Sequence, residues 1–259
     1  MNRKPSRLVL LSLEIGVPLL LIAAYALWAA PRNDLYFPPL DVILTRFVAD
    51  WFGPRFFSDI VPSLRRMGTG YAIALVIGVS AGVLLGLSRR TRLAVLPIVD
   101  FFRALPPSTL LPLTMIVLGV DDSAKVTLIA MVCLFPILLN TIAGVSSIDP
   151  TLRETADVFG ITRRNQLLHM VLPGALPAIF AGARTAMSLA IIMMVISEFV
   201  AATNGIGFAI WTARRSFDIS AMWAGILVLG CLGYGLNLLF EALERRVLAW
   251  HHAARQKSE

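Results

Sequence analysis

Few side chains in this 259-residue chain have the type and spacing for bond chemistry. The histidines are His169, His251 and His252, the last two in the C-terminal tail, so no acid–base or metal constellation built on histidine can form within the apolar segments. Glu14, Arg103, Arg184 and Glu198 are the charged residues nearest apolar depth. They are scattered, without the paired carboxylates at i, i+3 or i+4 that proton relays and di-metal sites use. Nothing matches the phosphate-cradling GxxxxGK(S/T) loop, so any ATP that drives this protein is hydrolysed on a separate chain. Cys133 and Cys231 fall in apolar runs without metal-ligand spacing; both read as small buried hydrophobes, with no disulfide expected. What remains is recognition chemistry, concentrated in one polar insert.

That insert, residues 149–173, lies between two membrane-length apolar segments. Asp149 is placed to cap a helix that opens with Pro150, where a missing N–H costs nothing, and Gly160 is placed to take the left-handed conformation that closes it. A second short helix follows, capped by Thr162, with His169 and Met170 in its last turns. Pro173 is expected to stop it from running straight into the next apolar span.

The elements that position the insert are membrane-spanning helices. Hydrophobic residues are 57% of the chain and charged ones 15%, against about half and about a quarter in a soluble domain. The bilayer is therefore the solvent, and six spans emerge at about 8–30, 67–88, 94–119, 125–147, 175–201 and 219–243. The first is longer than a signal-peptide core and reads as an uncleaved span. An even number of spans puts both termini on one side. Arg3, Lys4, Arg7, Arg89, Arg90, Arg92, Arg153, Arg163, Arg164, Arg245, Arg246, Arg255 and Lys257 share that side and outnumber the basic residues of the other. By the positive-inside rule both termini and the 149–173 loop are cytoplasmic. The net charge of +7 follows span ends rather than an aromatic-interleaved patch, so no nucleic-acid partner is expected.

Three further features bear on function. Residues 38–52 place Leu40, Ile43, Leu44, Phe47, Val48 and Trp51 at helical spacing, an amphipathic helix that either packs on the bundle ends or meets lipid. Gly78, Gly82 and Gly86, and likewise Gly225, Gly230, Gly233 and Gly235, invite close approach of a neighbouring helix. After Arg103, Pro106 and Pro107 forbid a continuous helix, so a bend or re-entrant start is expected there. Two readings stand for Arg103: with Ser108 and Thr109 it lines a solute pathway, or it pairs with Asp100 or a glutamate. Glu198, beside the turn-rich Thr203-Asn204-Gly205-Ile206-Gly207, reads as a gate or docking contact, or as the partner of Arg214 or Arg215.

The stretch ETADVFGITRRNQLLHMVLP resembles the loop of ATP-binding-cassette importer permeases whose form is Glu-Ala-Ala, three residues, Gly, nine residues, Ile, one residue, Leu-Pro. Thr155 replaces the middle Ala and Met170 the Ile, and the spacing matches throughout. FFRALPPSTLLPL, SEFVAATNGIGFAI and SLRRMGTGYAIALVIG resemble the nitrate, sulfonate, taurine and bicarbonate group, over roughly residues 60–248.

The resemblance implies an all-α integral membrane fold of the type I importer permease, with a coupling helix between spans four and five. It also implies a first helix plus external segment at 1–62, a permease core at 63–248 and a tail at 249–259. Glu154, Thr155, Ala156, Phe159, Gly160, Arg163, Leu172 and Pro173 would meet the ATPase; Arg103, Ser108, Thr109 and Glu198 are the candidates for the pathway. The implied partners are a second copy of this chain, two ATPase subunits that bind ATP and Mg, and a periplasmic or lipid-anchored substrate-binding protein. The implied location is the bacterial inner membrane, and no cofactor is implied in this chain itself. The rival reading, a secondary transporter or channel not coupled to ATP, would need ion-coupling residues or internal repeats.

Overall fold

The structure is a computed structural model that describes residues 7–32 and 34–250. Arg3, Lys4, the tail with His251 and His252, and the side chain of Glu14 lie outside the described residues. The helices are α1 (Arg7–Ala29), α2 (Leu40–Trp51), α3 (Val61–Leu87), α4 (Arg89–Ala104), α5 (Pro107–Leu118), α6 (Asp122–Ser146), α7 (Pro150–Val158), α8 (Arg163–Gln166), α9 (Leu172–Ala201), α10 (Ile206–Arg215) and α11 (Ile219–Val247). Two π-helical turns, Phe56–Ile60 and Leu167–Val171, run directly into α3 and α9. Among the described residues no strand occurs.

Among the described residues, four continuous helical stretches are long and apolar enough to cross a bilayer: Phe56–Leu87, Asp122–Ser146, Arg163–Val200 and Ile219–Val247. Helices α4 and α5 reach that length only together, and they are bent by 93°. The single span expected at 94–119 is thus two helices, and the cause is local. Leu105 precedes Pro106 and Pro106 precedes Pro107, so both are pushed out of the helical region and take extended ψ values of 129° and 124°. Pro107 then opens α5, where its fixed φ suits a first helical position. α1 is a 23-residue helix whose described apolar part is Ile15–Ala29.

The described residues form two compact units, one of residues up to Phe56 with Ala209–Val228, the other of Phe57–Phe208 with Leu229 onward. In the first, Arg46 of α2 donates to Asp218 at 2.6 Å and Trp223 Nε1 donates to the Tyr36 carbonyl at 3.0 Å. Burial alone would raise the Asp218 pKa, but the Ala221 N–H and Arg46 hold it below the usual carboxylate value. α2 forms where the spacing placed it; of its apolar stripe Ile43 and Trp51 are buried and Leu44 and Val48 exposed.

In the larger unit α6 is the central helix, packed between α3 and α9. Lipid is as apolar as leucine, so helices here gain by close backbone approach rather than by burial. A Cβ at Gly78 would lie 2.8 Å from Ile137, at Gly82 2.5 Å from Thr141, and at Gly86 2.6 Å from Val145. On the other face of α6, a Cβ at Gly144 would meet Ala178 at 2.7 Å. The expected ladder of α3 is therefore a contact with α6. That of α11 is not continuous: a Cβ at Gly225 would meet Ile210 at 2.5 Å and one at Gly233 would meet Ile191 at 3.6 Å, but Gly230 and Gly235 face open space. Cys133 is buried, as expected, but Cys231 is exposed, because α11 presents most of its surface outward.

Candidate functional site

The polar insert folds as its residues require. The Asp149 carboxylate accepts from the Thr151 N–H at 2.8 Å and Pro150 opens α7. That bond holds the Asp149 carboxyl below its ordinary pKa. At the other end Gly160 has φ +66°; its N–H bonds to the Asp157 carbonyl and the Ile161 N–H to the Ala156 carbonyl. This double bond pattern is the Schellman motif, which satisfies carbonyls the helix leaves unpaired. Gln166 Nε2 then donates to Asp157 at 2.7 Å and to the Ile161 carbonyl at 3.0 Å, fixing the angle between the two helices. Arg153 Nη2 donates to the Val145 carbonyl at 2.7 Å and ties α7 to the end of α6.

The face this pair presents is apolar. Val158 is 85% and Phe159 77% exposed, with Leu152, Ile161 and Leu168 exposed beside them. Glu154, Thr155 and Arg163 are exposed on the same element, while Ala156 is buried and packs inward. Thr162 stands at the N-cap of α8 by position, but its side chain makes no cap bond.

Pro173 does not end the second helix, contrary to expectation. α8, the π-turn and α9 form one helix, Arg163–Val200. The π-turn resolves the conflict: Leu172 N–H bonds to the Leu167 carbonyl, five residues back, and the widened turn accommodates a proline that has no N–H to place. The second helix of the insert is thus the near end of that long helix. Leu172 and Pro173 are half-buried in its wall.

At the α4–α5 bend, Arg103 lines a cavity of about 280 Å³ with Phe102, Leu105, Pro107, Phe135 and Leu189. Arg103 Nε also bonds to Asp100 at 2.8 Å, both side chains being about half exposed. The pairing with Asp100 is thus present, and the same side chain borders the cavity. Ser108 and Thr109 are exposed outside that cavity lining, and Thr109 Oγ1 donates to the Pro106 carbonyl at 2.7 Å, bracing the start of α5.

Glu198 occupies a different setting from either expectation. It is 0% exposed, so in this conformation it lines no open pathway. Its partner is Arg66 on α3, at 3.0 Å, not Arg214 or Arg215; Arg214 instead stacks over Trp211. Ser63 Oγ donates to the same carboxylate at 2.7 Å and the Gly207 N–H at 2.9 Å. Arg66, 4% exposed, also donates to Asp122 at 2.6 Å and to the Asn204 side chain at 2.5 Å. Asp122 is approached by Lys125 as well, at 3.6 Å. In the sequence these cations read as span-end residues, and nothing in their spacing joins residues 66 and 198.

A family model described as binding-protein-dependent transport system inner membrane component matches residues 74–249. The taurine transport system permease protein TauC of Escherichia coli is 31% identical over 225 residues, 85% of this chain and 82% of its own. The bicarbonate transport system permease protein CmpB of Synechococcus elongatus is 32% identical over 193 residues, 74% and 69% of the two chains. Among solved structures, an inward-facing methionine transporter, MetNI, superposes with a TM-score of 0.65 at 22% identity, covering 73% of this chain and 94% of its own. That likeness concerns the fold alone.

Proposed function

Because the chain belongs to the family of binding-protein-dependent transport system inner membrane components, we propose that it is the half-channel through which a small oxyanion-bearing solute enters the cell, of the taurine, sulfonate, nitrate or bicarbonate type. The chain is a multi-pass membrane permease of an ATP-binding-cassette importer and not an enzyme; its ATPase is a separate subunit. Two copies form the pathway, since one chain supplies one half. Two ATPase subunits receive the α7–α8 elements and hold ATP and Mg. A substrate-binding protein delivers the solute to the opposite side. Both termini lie in the cytoplasm.

The observation that carries this reading is the exposed apolar tip Val158–Phe159 beside the left-handed Gly160, held at a set angle by Gln166 and ending a continuous helix. Large exposed apolar side chains on a polar insert mark a protein interface. Because the insert is rigidly joined to α9, closing of the ATPase pair around ATP would move whole helices and switch access from one side to the other. Arg103, at the cavity beside the bend, is the residue offered to the solute's negative group, and Ser108 and Thr109 stand at the same bend.

The test is Phe159→Asp in the assembled importer. The variant is expected to insert and dimerise, to lose ATPase subunits on purification, and to stop transport. Retention of the ATPase at wild-type stoichiometry would overturn the assignment of this tip.

A further inference from the structure

At the end of α9 opposite the insert, three consecutive N–H groups of residues 205–207, at the start of α10, are each bonded by a side chain from elsewhere in the chain. Gly205 N–H bonds to Asp59 at 2.9 Å, Ile206 N–H to Ser63 Oγ at 2.9 Å and Gly207 N–H to Glu198 at 2.9 Å. Such N–H groups have no intrahelical partner, and carboxylates there are favoured by the helix dipole. All three acceptors are at most 9% exposed, and Ser63 bridges the segment to Glu198 by also donating to it. Arg66 adds bonds to both the carbonyl and the side chain of Asn204. The packing leaves no slack: a Cβ at Gly205, which has φ +121°, would lie 2.5 Å from the Glu198 carboxylate, and one at Gly207 2.8 Å from Glu198 Cβ.

We propose that Glu198 is a positioning residue for transport: it clamps segment 204–207 to the far end of the same helix whose near end is the docking element, so that displacement of the dock arrives at the opposite end as one rigid-body movement. The Arg163–Val200 helix has 38 residues, about 57 Å at 1.5 Å per residue; its irregular turn at 167–171 and its interior Pro177 both lie in the dock-side half, and no proline follows before Glu198. A buried ion pair is a poor source of stability but an effective way to fix one geometry among several. Here it fixes the 204–207 segment to α3 and α9 together. The inference rests on reading α7–α8 as the ATPase dock.

The experiment uses the whole importer in nanodiscs, with spin labels at Asn165→Cys or at Thr203→Cys in both copies and pulsed electron–electron resonance before and after ATP with vanadate. In the otherwise unaltered protein both the 165–165 and the 203–203 distances shift. In Glu198→Gln and in Ser63→Ala the 165–165 shift persists while the 203–203 shift falls to half or less. A 203–203 shift of full size in these variants overturns the proposal. If Glu198→Gln fails to assemble, Ser63→Ala, which removes one hydroxyl, decides; if that also fails to assemble, the cluster serves folding and the proposal is overturned. Absence of any 165–165 shift in the unaltered protein would instead strike the docking assignment itself, and with it this inference.

Discussion

At the scale of single residues, Gly160 separates conformation from space. Beyond its own chain neighbours no atom lies within 4 Å of where its Cβ would be, so a side chain has open space. Its φ of +66° is the constraint, and a β-branched residue there would be strained by about 1–2 kcal/mol, whereas asparagine visits the region readily. Gly160→Val is therefore expected to mis-aim α8 and lose transport and bound ATPase, while Gly160→Asn keeps most of both; equal loss in the two would show that φ is not what matters. Asp149 makes a pH prediction. Its folded pKa is depressed by hydrogen bonding to Thr151, so its cap is fully present above the ordinary carboxylate pKa and is lost as pH falls through the lowered value. Amide exchange at 150–153 should thus quicken only in acid, and an Asp149→Asn protein should lose that acid step. For Arg103, Gln should lower uptake of an oxyanion severalfold with the complex intact, because its ion pair is local, to Asp100 three residues away, and about half exposed. Loss of the complex would make the arginine structural.

At the scale of elements, the close approach of α3 to α6 is the feature most sensitive to side-chain size. Gly82→Leu should destabilise by roughly 1–3 kcal/mol through overpacking against Thr141. Gly230→Ala, on open surface, should leave thermal stability in detergent unchanged or slightly raised. Much of this layer was legible in the residues: apolar runs placed the long helices, the Asp149-Pro150 pair and Gly160 bounded α7, and Pro106-Pro107 foretold a break after Arg103. Pro173 misled, because a stop rule written for α-helical hydrogen bonds takes no account of a π-turn that shifts the donor–acceptor register before the proline. The Arg66–Glu198 pair escaped too. Its members are 132 residues apart, and charge at a span end carries the same topological sign whether it faces water or a buried carboxylate.

At the scale of the whole molecule, orientation decides whether the insert can meet an ATPase at all. A cysteine at Asn165 should label only from the cytoplasm and one at Thr203 only from outside, since a continuous helix separates the two positions. The measurement that bears most directly on the central claim places a photo-crosslinking residue at Phe159 in the native membrane. The account predicts one major adduct, with a protein whose peptides contain a GxxxxGK(S/T) phosphate loop, and no such adduct from the same residue at Thr203. Capture of that ATPase from Thr203 and not from Phe159 would contradict it.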